Sequence, residues 1–169
     1  MILLQTLNSA RHKNEKLAGV QIDLEGAFEN CSRVYLRDLL ELMGLGPTYL
    51  RWLDCLWVGM SGKISYGGIE QEPIEMTGGL TQGVPESAIL FNLVNIPLNL
   101  ALLNLESDQY YPVEHELTPE LSNKNRLLTY SDDSCIIVEG IPESITNYIE
   151  LVKSFTRVSG QSVNEEKPN

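Results

Sequence analysis

Three aspartates hold positions from which chemistry could be done. Asp23 lies at the exit of the run Leu17 to Leu24, LAGVQIDL, and Asp132 with Asp133 sits between two apolar runs in RLLTYSDDSCIIVE, Arg126 to Glu139. The first run, apolar with a β-branched centre, suits a buried strand. The second, with an acidic tip between apolar arms, reads as a hairpin. If the strand and the hairpin are neighbours in one antiparallel sheet, the carboxylates converge. Clustered carboxylates repel one another, and a hard divalent cation between them removes that penalty. Two magnesium ions held about 4 Å apart can activate a 3′-hydroxyl and stabilise a leaving pyrophosphate in an in-line displacement. A plainer reading stands beside this one. Asp-Asp is good turn chemistry, and an aspartate closing a strand often caps whatever follows it. Spacing alone leaves both readings open.

The remaining segments are the frame for these groups. Met1 to His12 has helical spacing at Leu3, Leu4 and Leu7, ended by the polar Lys13 to Lys16. Val34 to Met43 is helical through Leu36, Leu39, Leu40 and Met43, and Gly44 to Pro47 breaks it. A second helix, Thr48 to about Val58, is expected to bury Leu50, Leu53, Leu56 and Trp57. Lys63 to Thr77, with Gly67-Gly68 among Ile64, Tyr66, Ile69 and Ile74, is a hairpin signature. After a loop containing Gly78, Gly79 and Gly83, the leucine-rich Ser87 to Leu105 reads as a mostly buried helix with a kink at Pro97. Ser107 to Asn125 is polar, carries Pro112 and Pro119, and reads as an insertion loop. Pro142 opens a last helix carrying Ile145, Ile149, Val152 and Phe155 and ending near Gly160. Helices and strands mix without strict alternation, which favours an antiparallel α+β layer over a doubly wound sheet.

The chain has 169 residues, enough for one domain with one core. No apolar run reaches the eighteen or so residues that span a bilayer, and Met1 is followed by neither a basic leader nor a cleavage site. A soluble, intracellular protein, nuclear or cytoplasmic and with no membrane partner, is expected. Cys31, Cys55 and Cys135 are scattered and odd in number, and His12 and His115 are near none of them, so neither a disulfide framework nor a zinc site is indicated. The net charge of −11 is awkward for a nucleic-acid binder, because Lys and Arg usually supply the phosphate contacts.

Against that charge stand four ordered segments. NSARHKNEKLAGVQIDLEGAF resembles the lead-in to motif A of a reverse transcriptase of the non-LTR, LINE-type retrotransposon family. TQGVPESAILFNL is similar to its motif B, LLTYSDDSCII to its Tyr-x-Asp-Asp motif C, and SGQSVNEEK to its motif D. The resemblance covers nearly the whole chain. It implies a polymerase palm-like antiparallel sheet covered by helices on one face, with part of the fingers. It also implies RNA-directed DNA polymerase chemistry, with RNA template, DNA primer and deoxynucleoside triphosphates as partners and Mg2+ as cofactor. Asp23 and Asp132 then become the main magnesium ligands and Asp133 the neighbouring carboxylate. Phe28 takes the place of the aromatic beneath the incoming sugar, where a 2′-hydroxyl would collide with it; otherwise it is simply core. Gln82 and Gly83 match the pair that lies against nucleotide and template, and Tyr130 heads the motif C pair. Lys167 matches the lysine near the triphosphate, where a cation could neutralise or protonate the leaving group; otherwise it is a solvated lysine.

The departures are equally specific. The family usually has lysine at Gly26, aspartate at Glu29, histidine at Arg33 and arginine at Thr81. It usually has cysteine at Val84, leucine at Glu86, proline at Ala88 and alanine at Ser131. None removes a metal ligand, but several remove positive charge or add negative charge, as in a copy drifting under relaxed selection. The resemblance implies that residues 1–169 form a single partial domain, fingers remainder plus palm, opening after the upstream fingers motifs and closing before the primer grip and thumb. Three functions follow for weighing: a reverse transcriptase palm fragment, inactive in isolation; a catalytically inactive remnant or domesticated non-enzymatic binding module; and a group II intron-type maturase or other cellular relative. The EKLAGVQIDLEGAF lead-in favours the LINE type over the last.

Overall fold

The computed structural model describes residue 12 and residues 16–105, 127–130 and 133–164. The strands are β1 (Leu17–Ile22), β2 (Leu24–Glu25), β3 (Ser61–Gly62), β4 (Ser65–Tyr66), β5 (Ile69–Glu70), β6 (Ile74–Glu75), β7 (Leu127–Tyr130), β8 (Asp133–Glu139) and β9 (Ser162–Val163). The helices are α1 (Arg33–Leu42), α2 (Pro47–Trp57), α3 (Pro85–Asn104) and α4 (Pro142–Ser159). The fold is α+β, and every strand pair among the described residues is antiparallel. Of the expected first helix only His12 is described, and the whole of the expected insertion loop, Ser107 to Asn125, lies outside the described residues. The chain divides into two compact units, one drawn from residues 1–25, 95–157 and 162–169, the other from 26–94 and 158–161.

In the first unit a three-stranded sheet runs in the order β1-β8-β7. The central strand is β8, where the consecutive Ile136, Ile137 and Val138 are all buried, so both of its faces are covered. β1 is an edge strand rather than the fully buried one expected. Ile22 is buried and Ala18 and Val20 are half-buried, whereas Gly19 and Gln21 are exposed. That alternation is the period of a strand with one face inward. Gln21 was the one polar mark of it inside the run; Gly19, with no side chain, gives none. Beside this sheet β2 pairs with β9, Leu24 opposite Val163 and Glu25 opposite Ser162. In α4 the buried line is Ser144, Tyr148, Val152 and Phe155: Val152 and Phe155 are buried as expected, whereas Ile145 is half-buried and Ile149 40% exposed, with Ser144 and Tyr148 inward in their place.

In the second unit Ser32 caps α1, its hydroxyl accepting from the Tyr35 N–H at 3.2 Å. Leu36 and Leu40 are the buried positions of α1. At its end Gly44 takes φ 85°. The Gly44 N–H then donates to Glu41 O at 2.9 Å and the Leu45 N–H to Leu40 O at 3.0 Å, the paired bonds of a Schellman closure. Pro47 opens α2, which buries Leu50 and Leu53; Leu56 is 37% exposed and Trp57 half-buried, short of the expected four. Gly67 and Gly68, both at positive φ, form the two-residue turn between β4 and β5, where the twist of the strands favours such geometry.

α3 is long and apolar enough to cross a membrane by length and composition alone, although Asn92, Asn95 and Asn99 interrupt it. Its buried positions, Ser87, Leu90, Phe91, Val94, Leu98 and Leu102, recur at the spacing of one helical face, the pattern of a core helix. The opposite face is open. Ile89 is 63% and Leu100 54% exposed, so α3 is not the mostly buried helix that its composition suggested.

Candidate active site

Asp23 is the single residue between β1 and β2, and two ladders meet there. The β1–β8 register puts Ile22 opposite Ser134, which brings Asp23, next along, level with Asp133, the first residue of β8. Across the hairpin Asp133 pairs with Tyr130. Asp23 and the motif C strand are therefore neighbours in one antiparallel sheet, as the sequence led us to expect. Ser131, Asp132 and Lys167 lie outside the described residues.

The second ladder reaches Asp23 from the other side. With Leu24 opposite Val163, the next pair is Asp23 with Asn164. The Asn164 main-chain N–H donates to the Asp23 carbonyl at 2.9 Å, and its side-chain Nδ2 donates to Asp23 Oδ2 at 3.2 Å. The adjacent rung repeats the pattern more weakly, Ser162 Oγ lying 3.3 Å from Glu25 Oε2. Nothing in the local spacing of SGQSVNEEK marks Asn164 for this contact, which spans 141 residues of chain. Oxygen donors of this kind suit a hard divalent cation. Among the described residues no group of three His, Cys, Asp or Glu side chains could hold a metal, and Asp132, the remaining expected ligand, is not among them.

In the second unit the end of motif A and the start of motif B are tied together by backbone. The Leu80 N–H donates to the Phe28 carbonyl at 2.7 Å. Gly79, at φ 71°, lies so close to the Glu29 backbone that a Cβ there would overlap it. The half-buried Phe28 ring stacks on Phe91 of α3 at 4.6 Å between centroids, with the planes 21° apart. Gln82 is exposed, and its side-chain amide donates to the Glu29 carboxylate. Gly83, next to it, is exposed at φ 82°.

Arg33, noted in the sequence only as a departure, organises this loop. Its Nε donates to Gly79 O at 2.8 Å and Nη1 to Met76 O at 3.1 Å. Nη2 is 3.6 Å from Met60 Sδ, and the guanidinium carbon is 5.5 Å from the centre of the Trp57 ring. Burial pulls its pKa below the ordinary arginine value, without discharging it. A planar fork can engage two carbonyls while lying over an aromatic ring; a lysine point charge cannot. Met60 Sδ also meets Thr81 Oγ1 at 3.1 Å. Thr81 and Arg33 thus share a sulfur neighbour at two positions where the sequence departs from its resemblance.

A mixed fold of small antiparallel sheets and helices, with an acidic hairpin strand paired to an aspartate-ended strand, is of polymerase type. It is similar to apo telomerase of Candida tropicalis truncated from its C-terminal domain, with TM-score 0.63 and 13% identity over 98% of this chain and 33% of that one. It is also similar to telomerase of Candida albicans with a fragment of telomeric RNA, with TM-score 0.51 and 12% identity over 98% of this chain and 28% of that one. At such identity these likenesses concern the fold. The chain belongs to the reverse transcriptase (RNA-dependent DNA polymerase) family, whose sequence profile matches residues 2–169. A curated relative, the transposon TX1 uncharacterized 149 kDa protein of Xenopus laevis, is 22% identical over 166 residues, covering 98% of this chain and 12% of the relative. The retrotransposon, LINE-type reading of the motifs stands with these matches.

Proposed function

We propose that this chain supplies the palm of an RNA-directed DNA polymerase, in which a primer 3′-hydroxyl attacks the α-phosphate of a deoxynucleoside triphosphate opposite an RNA template. A new P–O bond forms as the α–β P–O bond breaks, the 3′-hydroxyl proton passes to solvent, and pyrophosphate leaves. The observation that carries the proposal is the β1–β8 register, which brings Asp23 level with the Asp133 end of the motif C hairpin in a member of this family. Asp23, Asp132 and Asp133 are the groups to hold Mg2+. When bound, it would supply Lewis acidity at the 3′-hydroxyl and charge neutralisation at the leaving pyrophosphate. Phe28 would bear on the sugar, Gln82 and Gly83 on the nucleotide and template, and Tyr130 on the substrate beside the carboxylates. Lys167 would give a proton to the departing pyrophosphate. The chain spans about an eighth of its curated relative, 12%. Fingers and thumb in a longer nuclear or cytoplasmic polyprotein would supply the basic surface that a chain of net charge −11 does not.

That charge, together with the Glu29 carboxylate that engages Gln82, supports a second reading: an inactive retrotransposon remnant or a domesticated binding module. Primer extension on an RNA template with Mg2+ separates the two. It is run on this chain and on one lengthened at both ends. The polymerase reading expects synthesis from the lengthened chain, abolished with ribo- and deoxynucleotides alike by Asp132→Asn, and none from the 169-residue chain. Failure of both chains, each shown to be folded, would favour the remnant.

A further inference from the structure

Asn164 meets Asp23 twice, through its backbone and through its side chain, at the one residue where the β1–β8 and β2–β9 ladders join. The main-chain bond continues the β2–β9 ladder and would form with any residue but proline at position 164. The side-chain bond is different, because it requires a side-chain donor at position 164. Its donor is neutral. A carboxylate has about four acceptor positions, so one amide fixes the plane of the group without cancelling its charge. A lysine or arginine in the same place would compete with a cation for that charge, and an aspartate would repel it.

We propose that Asn164 is a positioning residue for metal binding: it orients the Asp23 carboxylate toward a divalent cation. This rests on the reading of Asp23 as a metal ligand given above. Hydrogen bonds that aim a ligating carboxylate act on metal affinity through orientation, and their loss typically weakens binding by about 10- to 100-fold. Asn164 is then tied to metal affinity, whereas its backbone bond is tied to the stability of the β2–β9 pair. The two contributions separate by substitution.

The test uses Mn2+ alone as a spectroscopic stand-in for the hard cation, with free ion counted by electron paramagnetic resonance in titrations of the full chain. Thermal melting is followed on the same samples. Asp23→Asn isolates the site from other acidic residues. Asn164→Ala should raise the Kd of the Asp23-dependent site about tenfold or more while the melting temperature stays close to that of the unsubstituted chain. Asn164→Leu, which keeps bulk and removes the donor, provides the same reading should the alanine variant fail to fold. An unchanged Mn2+ affinity in a folded Asn164 variant, beside a clear loss in Asp23→Asn, overturns the positioning role and leaves the metal site standing. If Asp23→Asn binds as the unsubstituted chain does, Asp23 is no ligand, and the positioning role falls with it.

Discussion

The ring of Phe28 stacks on that of Phe91, 4.6 Å away and 21° from parallel. Phe91 is 1% exposed and Phe28 only half-buried, so one face of Phe28 rests on the core through Phe91. A side chain held in this way can both stabilise the fold and present a rigid surface to a sugar. Phe28→Val is expected to cost about 2 kcal/mol, from lost apolar area and the lost aromatic pair. In an active, lengthened chain it should also raise ribonucleotide incorporation. Melting temperature and the deoxy-to-ribo ratio are measured on the same variant. A loss of stability with an unchanged ratio makes Phe28 packing only.

Arg33 bridges α1 to the carbonyls of Met76 and Gly79, and its removal leaves both acceptors short of a charged donor. Arg33→Ala should destabilise the chain by about 2 to 3 kcal/mol. Arg33→Lys should recover less than half of that, since one ammonium cannot reproduce the fork and the stack on Trp57. Urea denaturation of the three proteins checks the order. Equal stability of the lysine variant and the unsubstituted chain would refute the bidentate account.

Burial pushes the Cys31 thiol up to about 11, with the nearby Arg33 charge pulling the other way. Above the ordinary thiol range the unfolded chain gives up this proton while the folded chain keeps it. The unfolded state then binds fewer protons, so stability falls as pH rises. The contribution is fully present below about pH 8.5, is lost progressively toward pH 11, and amounts to about 3 kcal/mol at most. Denaturant midpoints at pH 8 and 10.5 should show the decline, reduced in Cys31→Ala. Thiol labelling at pH 8 should be fast at the exposed Cys55 and slow at the buried Cys31 until unfolding.

With a net charge of −11, the chain by itself should bind RNA or DNA weakly and lose that binding over a modest rise in salt. Fluorescence anisotropy across a salt series measures this. Nanomolar affinity at physiological salt would point instead to a domesticated nucleic-acid module.

The amino-acid sequence by itself determined the local elements. Pro47 starts a helix because its ring presets φ and its missing N–H is not needed there. Gly67-Gly68 turns a hairpin because both residues accept positive φ. The order of the four motifs was legible too, and it identified Asp23 and the Asp132-Asp133 hairpin. The long-range contacts within each unit were not. Asn164 reaches Asp23 across 141 residues, and Arg33 reaches Gly79 across 46. Phe28 finds Phe91 on a helix that sequence spacing does not connect to it. Propensity and turn chemistry act over a few neighbours, within one element. Which strand becomes central and which distant donor meets a given carboxylate depend on strand pairings between remote segments. Those form only when the whole set of apolar faces is buried at once, so tertiary structure alone made β8 central, left β1 at the edge, and set Asn164 against Asp23.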